Sequence, residues 1–232
     1  MNIIITGASE GVGFATALKF AEVKGNRIYV IARRTSKLSE LAAMHTASPV
    51  IPVVMDIGTY EFSKLTQILG EHGIHQVDIL INNAGLLINK PFQDLLPAEW
   101  EEIYRVNVIG PSQLIRVMLP YLGATGRSHI INIGSIGGVR GTQKYPGLSA
   151  YSSSKGALGI LTECLSEEFR DQQVSVNCLA LGSVQTEMLT KAFPGYAASM
   201  TPGVLSGFIY DFAINGWKFF NGKILEVSTT NP

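Results

Sequence analysis

Seven short apolar, β-branched runs, at residues 2–6, 27–32, 51–55, 78–82, 129–134, 174–179 and 223–227, alternate along the chain with stretches whose apolar residues recur at helical spacing. A strand that leads through a helix to another strand crosses over in a right-handed sense, which produces a parallel sheet buried on both faces. The alternation therefore predicts an α/β fold: one doubly wound, parallel seven-stranded sheet in the order 3-2-1-4-5-6-7, with helices on both faces. No internal repeat, low-complexity stretch or linker divides the 232 residues, so one domain over 1–232 is expected. In such a sheet a ligand sits beyond the carboxyl ends of the strands, where the order reverses between strands one and four.

The chain opens MNIIITGASEGVGFATALKFA, in which an apolar run, a glycine-rich turn and then Val12, Ala15, Leu18 and Phe20 at helical spacing follow one another. Gly7, Gly11 and Gly13 let the backbone turn sharply and approach a ligand closely. The first turn of the next helix offers unpaired N–H groups and a positive dipole end, which suit a pyrophosphate. Any strand-to-helix turn can use glycine, but its position directly after a strand is the context that a dinucleotide requires.

Further on, Tyr151 and Lys155 stand four apart in AYSSSKGALGILTE, after an isolated Ser135 in IINIGSIGG. Residues at that spacing share a helix face, and an ammonium there would pull the phenol below its reference pKa of about 10, toward the range of a group that exchanges a proton near neutrality. The same spacing also arises on exposed helices with no such role. Tyr145 is no equivalent candidate, because the residue four later is Ser149 and Pro146 breaks a helix at that point.

Four blocks in this order, TGASEGVG at 6–13, NNAG at 82–85, the stretch from Ser135 to Lys155 and VNCLALGSVQTEM at 176–188, resemble the short-chain dehydrogenase/reductase family in its shorter TGxxxGxG and YxxxK subfamily. The match covers roughly the first 190 residues, and the tail beyond Met188 matches poorly. The resemblance implies a Rossmann-type domain in which Tyr151 is the acid/base, Lys155 binds the nicotinamide ribose and lowers the tyrosine pKa, and Ser135 donates a hydrogen bond to the substrate oxygen. It implies that Asn107, in YRVNVIGP, kinks a helix and holds a water for proton relay. For the cofactor it implies contacts from Ser9 and Val12 with the turn glycines, from Asp56 to the adenine amino group, and from Asn83, Ala84 and Gly85 to the adenosine ribose, with Asn82 tying neighbouring strands. Gly182, the Val184 N–H and the Thr186 hydroxyl would hold the carboxamide. Asp56 also suits a helix cap near 57–59.

The second strand ends VIARR, and the position about twenty residues past the glycines, where an acidic residue would bind the ribose of NAD, is Arg33. Arg33 and Arg34 are therefore expected to clamp a 2′-phosphate, which selects NADP over NAD. Glu10 departs from the family, whose NADP members often carry a basic residue there, and is expected to pair with Arg33 or to face water. Two other departures are a Ser135–Tyr151 interval about three residues longer than usual, expected to shape a wall of the substrate pocket, and Leu181 in place of a proline, which frees the backbone. The apolar segment 187–202, bounded by Pro194 and Pro202, reads as a substrate lid carrying Leu189, Phe193, Tyr196 and Met200, residues that could equally pack on the sheet.

Lys plus Arg and Asp plus Glu both number 18, so the chain carries no basic field for nucleic acid, and a small carbonyl or alcohol is the expected partner. Cys164 and Cys178 have no metal-ligand spacing and read as buried thiols in a reducing compartment. The N-terminus enters the first strand directly and no apolar run reaches about 18 residues, so no membrane contact is expected and the cytoplasm is the expected location. A helix over 151–170 carries Ala157, Leu158, Leu161, Leu165 and Phe169, a stripe broad enough for both the sheet and a partner; the family pairs subunits through this helix and the one after Asn107, implying a homodimer or homotetramer. The expected activity is hydride transfer between NADP(H) and a carbonyl or secondary alcohol. An NAD-linked alcohol dehydrogenase is one alternative. A non-catalytic NADP-binding redox sensor is another, against which the joint presence of Asn107, Ser135, Tyr151 and Lys155 argues.

Overall fold

The computed structural model describes residues 1–44 and 46–229. Seven parallel strands, β1 (Asn2–Thr6), β2 (Arg27–Ala32), β3 (Val50–Val54), β4 (Ile79–Asn82), β5 (Ser128–Ser135), β6 (Val174–Leu181) and β7 (Ile224–Val227), form one sheet in the order β3-β2-β1-β4-β5-β6-β7. This is the expected order, with the reversal between β1 and β4.

Successive side chains on a strand point to opposite faces, and the triplet Ile3, Ile4, Ile5 shows the consequence. Ile3 and Ile5 join a core with α1 (Gly11–Ala21), α2 (Thr35–Ala43) and α8 (Pro202–Asn215), whereas Ile4 joins a second core with α3 (Ser63–Glu71) and α5 (Gly110–Met118). All three are fully buried, each worth roughly 1.5–3 kcal/mol of burial free energy. The long helix α6 (Ser149–Glu168) lies on the α5 side and packs across β5 and β6. It starts two residues before the expected position. The second helix ends at Ala43.

Two expectations are corrected here. The sixth strand runs on to Leu181, where Leu181 pairs with Ser135 on one side and Val227 on the other. Leucine keeps the N–H that a proline would lack, so the ladder continues to the rim of the sheet. Cys178 is buried but Cys164 is exposed, because it falls one turn after Ile160 on the outer face of α6.

Buried polar side chains cross-brace the strands. Asn82 Nδ2 donates to Asn132 Oδ1 at 2.8 Å, the inter-strand tie expected of it, and Asn132 Nδ2 donates to Thr162 of α6 at 2.9 Å. On the opposite face, His129 is bonded through Nδ1 to the Ala213 carbonyl and through Nε2 to Asn177 Nδ2, both at 3.0 Å. Ala213 O only accepts, so Nδ1 carries the proton and Nε2 accepts from the amide. Burial pushes the His129 pKa down to about 4.

Candidate active site

A cleft of about 620 Å³ opens at the carboxyl ends of the strands, within the range of small-molecule sites. On its floor the turn after β1 packs against the end of β4. Gly7 adopts φ +67°, and a Cβ there would lie 2.7 Å from Ala84 Cα, so only glycine fits. The Thr6 hydroxyl accepts the N–H groups of Asn83 and Ala84, each at 3.0 Å, while Asn83 Nδ2 donates to the Thr6 and Gly7 carbonyls. Gly7, Ser9, Gly11, Val12, Asn83, Ala84 and Gly85 all line the cleft; Gly13 does not, and is the close contact behind the turn, where a Cβ would meet Gly7 O at 2.5 Å. No side chain caps the start of α1, so its first N–H groups remain for a ligand.

At the end of β2, consecutive residues point apart. Arg33 reaches toward the end of β3, with a 71% exposed side chain 3.6 Å from Asp56, and Arg34 reaches toward the glycine turn. Arg34 is ion-paired with Glu10, donates to Ser9 Oγ at 3.1 Å and lies 3.6 Å from Glu187, the first residue of α7 (Glu187–Ala192). The expected partner of Glu10 is thus corrected from Arg33 to Arg34. Asp56 lines the cleft and also caps the 3₁₀ turn Ile57–Thr59, accepting Gly58 N–H at 2.8 Å.

Ser135 ends β5, and Tyr151 and Lys155 stand one turn apart on α6. The turn Ile136–Gly138 brings them together: a Cβ on Gly138 would lie 2.6 Å from Gly156 N, so the absence of a side chain lets this turn press on α6 and sets Ser135 beside Tyr151. All three line the cleft. Lys155 is buried, donates from Nζ to Ile133 O at 2.8 Å and sits 5.8 Å from the centre of the Tyr151 ring. Burial pushes the Tyr151 phenol up to about 12, with the Ser135 hydrogen bond opposing it, and burial pushes Lys155 down to about 8. The expectation that lysine brings the phenol below 10 is therefore not met. The ammonium is directed at a carbonyl, and desolvation outweighs its field. At pH 7 the phenol is protonated and the lysine is charged.

Asn107 is fully buried behind the cleft wall, in a π-helical turn Arg105–Ile109 that joins α4 (Pro97–Tyr104) to α5. Its Oδ1 accepts Leu86 N–H at 2.7 Å, and its Nδ2 donates to Leu86 O and to Ser154 Oγ, both at 2.9 Å. Ser154 in turn donates to the Tyr151 carbonyl at 2.7 Å. Sequence reasoning missed Ser154, as it missed Thr6 and Glu187. In YSSSK nothing but the helical period separates the buried serine from its neighbours.

The outer wall is formed by three segments. Gly182, Val184 and Thr186 follow β6, and Thr186 Oγ1 caps α7 by accepting Leu189 N–H at 3.2 Å. The long loop after Ser135 contributes Gln143, Tyr145 and Leu148, so it does form a wall of the cleft. Its Lys144 ammonium folds back to donate to the Val139 carbonyl at 2.6 Å and the Thr142 carbonyl at 3.0 Å. From the segment 187–202, Leu189, Phe193 and Tyr196 line the cleft, but Met200 instead bridges to Val184 and packs on the core. Asn89 Nδ2 donates to Ala192 O of this segment at 2.7 Å. Among the described residues there is no His, Cys, Asp and Glu group fit to hold a metal, and no helix long and apolar enough to cross a membrane.

The family model described as short chain dehydrogenase matches residues 1–197. The chain is 32% identical over 203 residues to an NADP-dependent 3-hydroxy acid dehydrogenase of Schizosaccharomyces pombe, covering 84% of this chain and 75% of that one. To carbonyl reductase [NADPH] 2 of Sus scrofa it is 31% identical over 191 residues, covering 81% and 73%. Among solved structures, L-sorbose reductase from Gluconobacter frateurii, complexed with NADPH and L-sorbose, superposes with a TM-score of 0.86 at 25% identity, covering 99% of this chain and 95% of that one. A 3-ketoacyl-(acyl-carrier-protein) reductase from Brucella melitensis, complexed with NADH, gives 0.86 at 25% identity, covering 97% and 96%.

Proposed function

The chain belongs to the short-chain dehydrogenase family, and from that membership we propose that it is a single-domain NADP(H)-dependent oxidoreductase that interconverts a carbonyl and a secondary alcohol. The observation that carries the reading is the grouping of Ser135, Tyr151 and Lys155 on the wall of the same cleft whose floor is the glycine turn and the uncapped start of α1. When bound, the nicotinamide supplies or accepts the hydride.

The residues present fit a dinucleotide. The α1 N–H groups and the Gly7 to Val12 turn would hold the pyrophosphate. Asp56 would face the adenine, Asn83 to Gly85 the adenosine ribose, Lys155 the nicotinamide ribose, and Gly182, Val184 and Thr186 the carboxamide. In the direction of reduction, negative charge grows on the substrate oxygen; the Ser135 hydroxyl and the Tyr151 phenol donate to it, and Tyr151 delivers the proton. With its pKa raised by burial, the phenol is protonated at pH 7, the state from which a general acid starts. Lys155, 5.8 Å from the centre of the Tyr151 ring, keeps its ammonium on the Ile133 carbonyl. Asn107 would hold an ordered water through which the proton is relayed.

NADP is supported by the exposed Arg33 guanidinium, by Arg34 at the same strand end and by the relatives named for NADP and NADPH. The pairing of both arginines with carboxylates, Asp56 and Glu10, favours a ribose hydroxyl over a phosphate and keeps an NAD-linked enzyme as the second reading. The free thiols Cys164 and Cys178 support a reducing compartment, the cytoplasm. We also propose a homodimer or homotetramer built on α5 and α6, where Ile109, at the end of the π-helical turn that leads into α5, and Ile160 of α6 are exposed.

The test is a panel of ketones and aldehydes assayed with NADPH and NADH in parallel, on the wild type and on Tyr151→Phe. We expect NADPH-linked turnover, at least about 100-fold lower in the variant, with NADPH affinity within about twofold of wild type. Full activity in Tyr151→Phe, or a wild type that prefers NADH, refutes the corresponding assignment.

A further inference from the structure

We propose that the carbonyl substrate is neutral and largely apolar, and that keto acids and phosphorylated carbonyls are excluded by the absence of an available cation at the reacting end of the cleft. The proposal rests on the oxidoreductase reading above. Among the described residues, the cationic side chains on the cleft wall are Arg33, Arg34, Lys155 and Lys191. The two arginines sit at the end of β2, against Asp56, Glu10 and Glu187, on the side of the cleft assigned to the cofactor phosphates. Lys155 lies behind Tyr151 with its ammonium on the Ile133 carbonyl. Lys191 is ion-paired within α7 to Glu187 at 2.5 Å. Lys144, in the loop that walls the substrate end, directs its ammonium into that loop's own carbonyls.

What remains on the wall with Ser135 and Tyr151 carries no positive charge: Leu148, Leu189 and Phe193 are apolar, Gln143 and Tyr145 supply uncharged polar groups, Glu102 adds a carboxylate, and Arg140 of the loop does not line the cleft. The Ser135 and Tyr151 hydroxyls serve one oxygen, the one that reacts. A second, anionic group on the substrate would leave water for a wall that offers it no counter-charge, and such a transfer is strongly unfavourable. Apolar substituents, in contrast, gain from burial against the same side chains.

The experiment pairs each of several neutral ketones with an analogue that carries a carboxylate at the position of a methyl ester, for example an alkyl 3-oxobutanoate and 3-oxobutanoate itself. With purified protein and both NADPH and NADH, kcat/KM for the neutral member is expected to exceed that of the acid by about 100-fold or more, since a site rejects strongly what it leaves unpaired. Equal or better use of the acids overturns the substrate class and leaves the oxidoreductase reading standing. Turnover of no member with either cofactor overturns both. Gln143→Arg, on an exposed loop, places a cation on this wall and is expected to raise the acid-to-ester ratio at least about tenfold by supplying the missing partner. An unchanged ratio removes the loop wall from the substrate site and overturns the argument built on it.

Discussion

Ser154 touches neither the cleft nor, in the proposed chemistry, the substrate, yet its hydroxyl links Asn107 to the backbone of Tyr151. Removing it leaves one Asn107 N–H unpaired in a buried site and frees the helical turn that carries the acid. Ser154→Ala is therefore expected to lower kcat about tenfold with KM within about twofold, since small misplacements of a reacting group act on the chemical step. Ser154→Thr, which keeps the hydroxyl, is expected to restore most of the loss; equal defects in the two variants would reduce Ser154 to packing. Arg33 and Arg34 also separate at this scale. Arg33 is the more exposed and, among the described residues, pairs with Asp56, whereas Arg34 is engaged by Glu10, Glu187 and Ser9. Arg33→Ala is expected to reduce the NADPH over NADH preference in kcat/KM by one to two orders of magnitude, roughly the 1.5–3 kcal/mol of a charge-assisted bond to phosphate. An unaltered preference after the Arg33,Arg34 double substitution would transfer the assignment to NAD.

Elements in this fold are joined by buried polar side chains as well as by apolar contact, and His129 is the joint between β5, β6 and α8. Its Nε2 accepts from Asn177 while its Nδ1 donates to Ala213, so a second proton would set two donors against each other at Nε2. With a folded pKa of about 4 against about 6.5 in the unfolded chain, the unfolded state binds the extra proton first as pH falls. The stability this group contributes is complete above pH 6.5 and is lost progressively toward pH 4, up to about 3 kcal/mol. Urea unfolding at pH 7 and pH 4.5 checks this: the wild type is expected to lose more stability between the two than His129→Gln, and parallel losses would contradict it. The π-helical turn between α4 and α5 is a second joint, since it turns Asn107 inward onto Leu86 and Ser154.

At the scale of the whole molecule, Ile109 in the π-helical turn and Ile160 on α6 stand 41% and 58% exposed, on the surface proposed to meet a second copy. Sedimentation is expected to show a dimer or tetramer, and Ile160→Glu to shift it toward monomer; a monomeric wild type would refute the assembly. The sheet order, the glycine turn and the Tyr151–Lys155 pair were legible from the amino-acid sequence because each depends on local period: alternation fixes which residues are strands, a positive φ demands glycine, and four residues make a helical turn. Direction and burial were not legible, because they depend on what distant segments bring. Glu10 meets Arg34 and not Arg33 because β2 aims consecutive side chains apart. Met200 packs on the core, apart from Leu189 and Phe193 on the cleft wall, because it bridges to Val184. Lys155, one turn from Tyr151, does not lower the phenol pKa, because Ile133 of β5 takes its ammonium and desolvation at the cleft wall raises the phenol. Local sequence set which groups stand near one another along the chain; tertiary packing alone decided which way they point and how much solvent they keep, and charge responds to those two quantities most steeply.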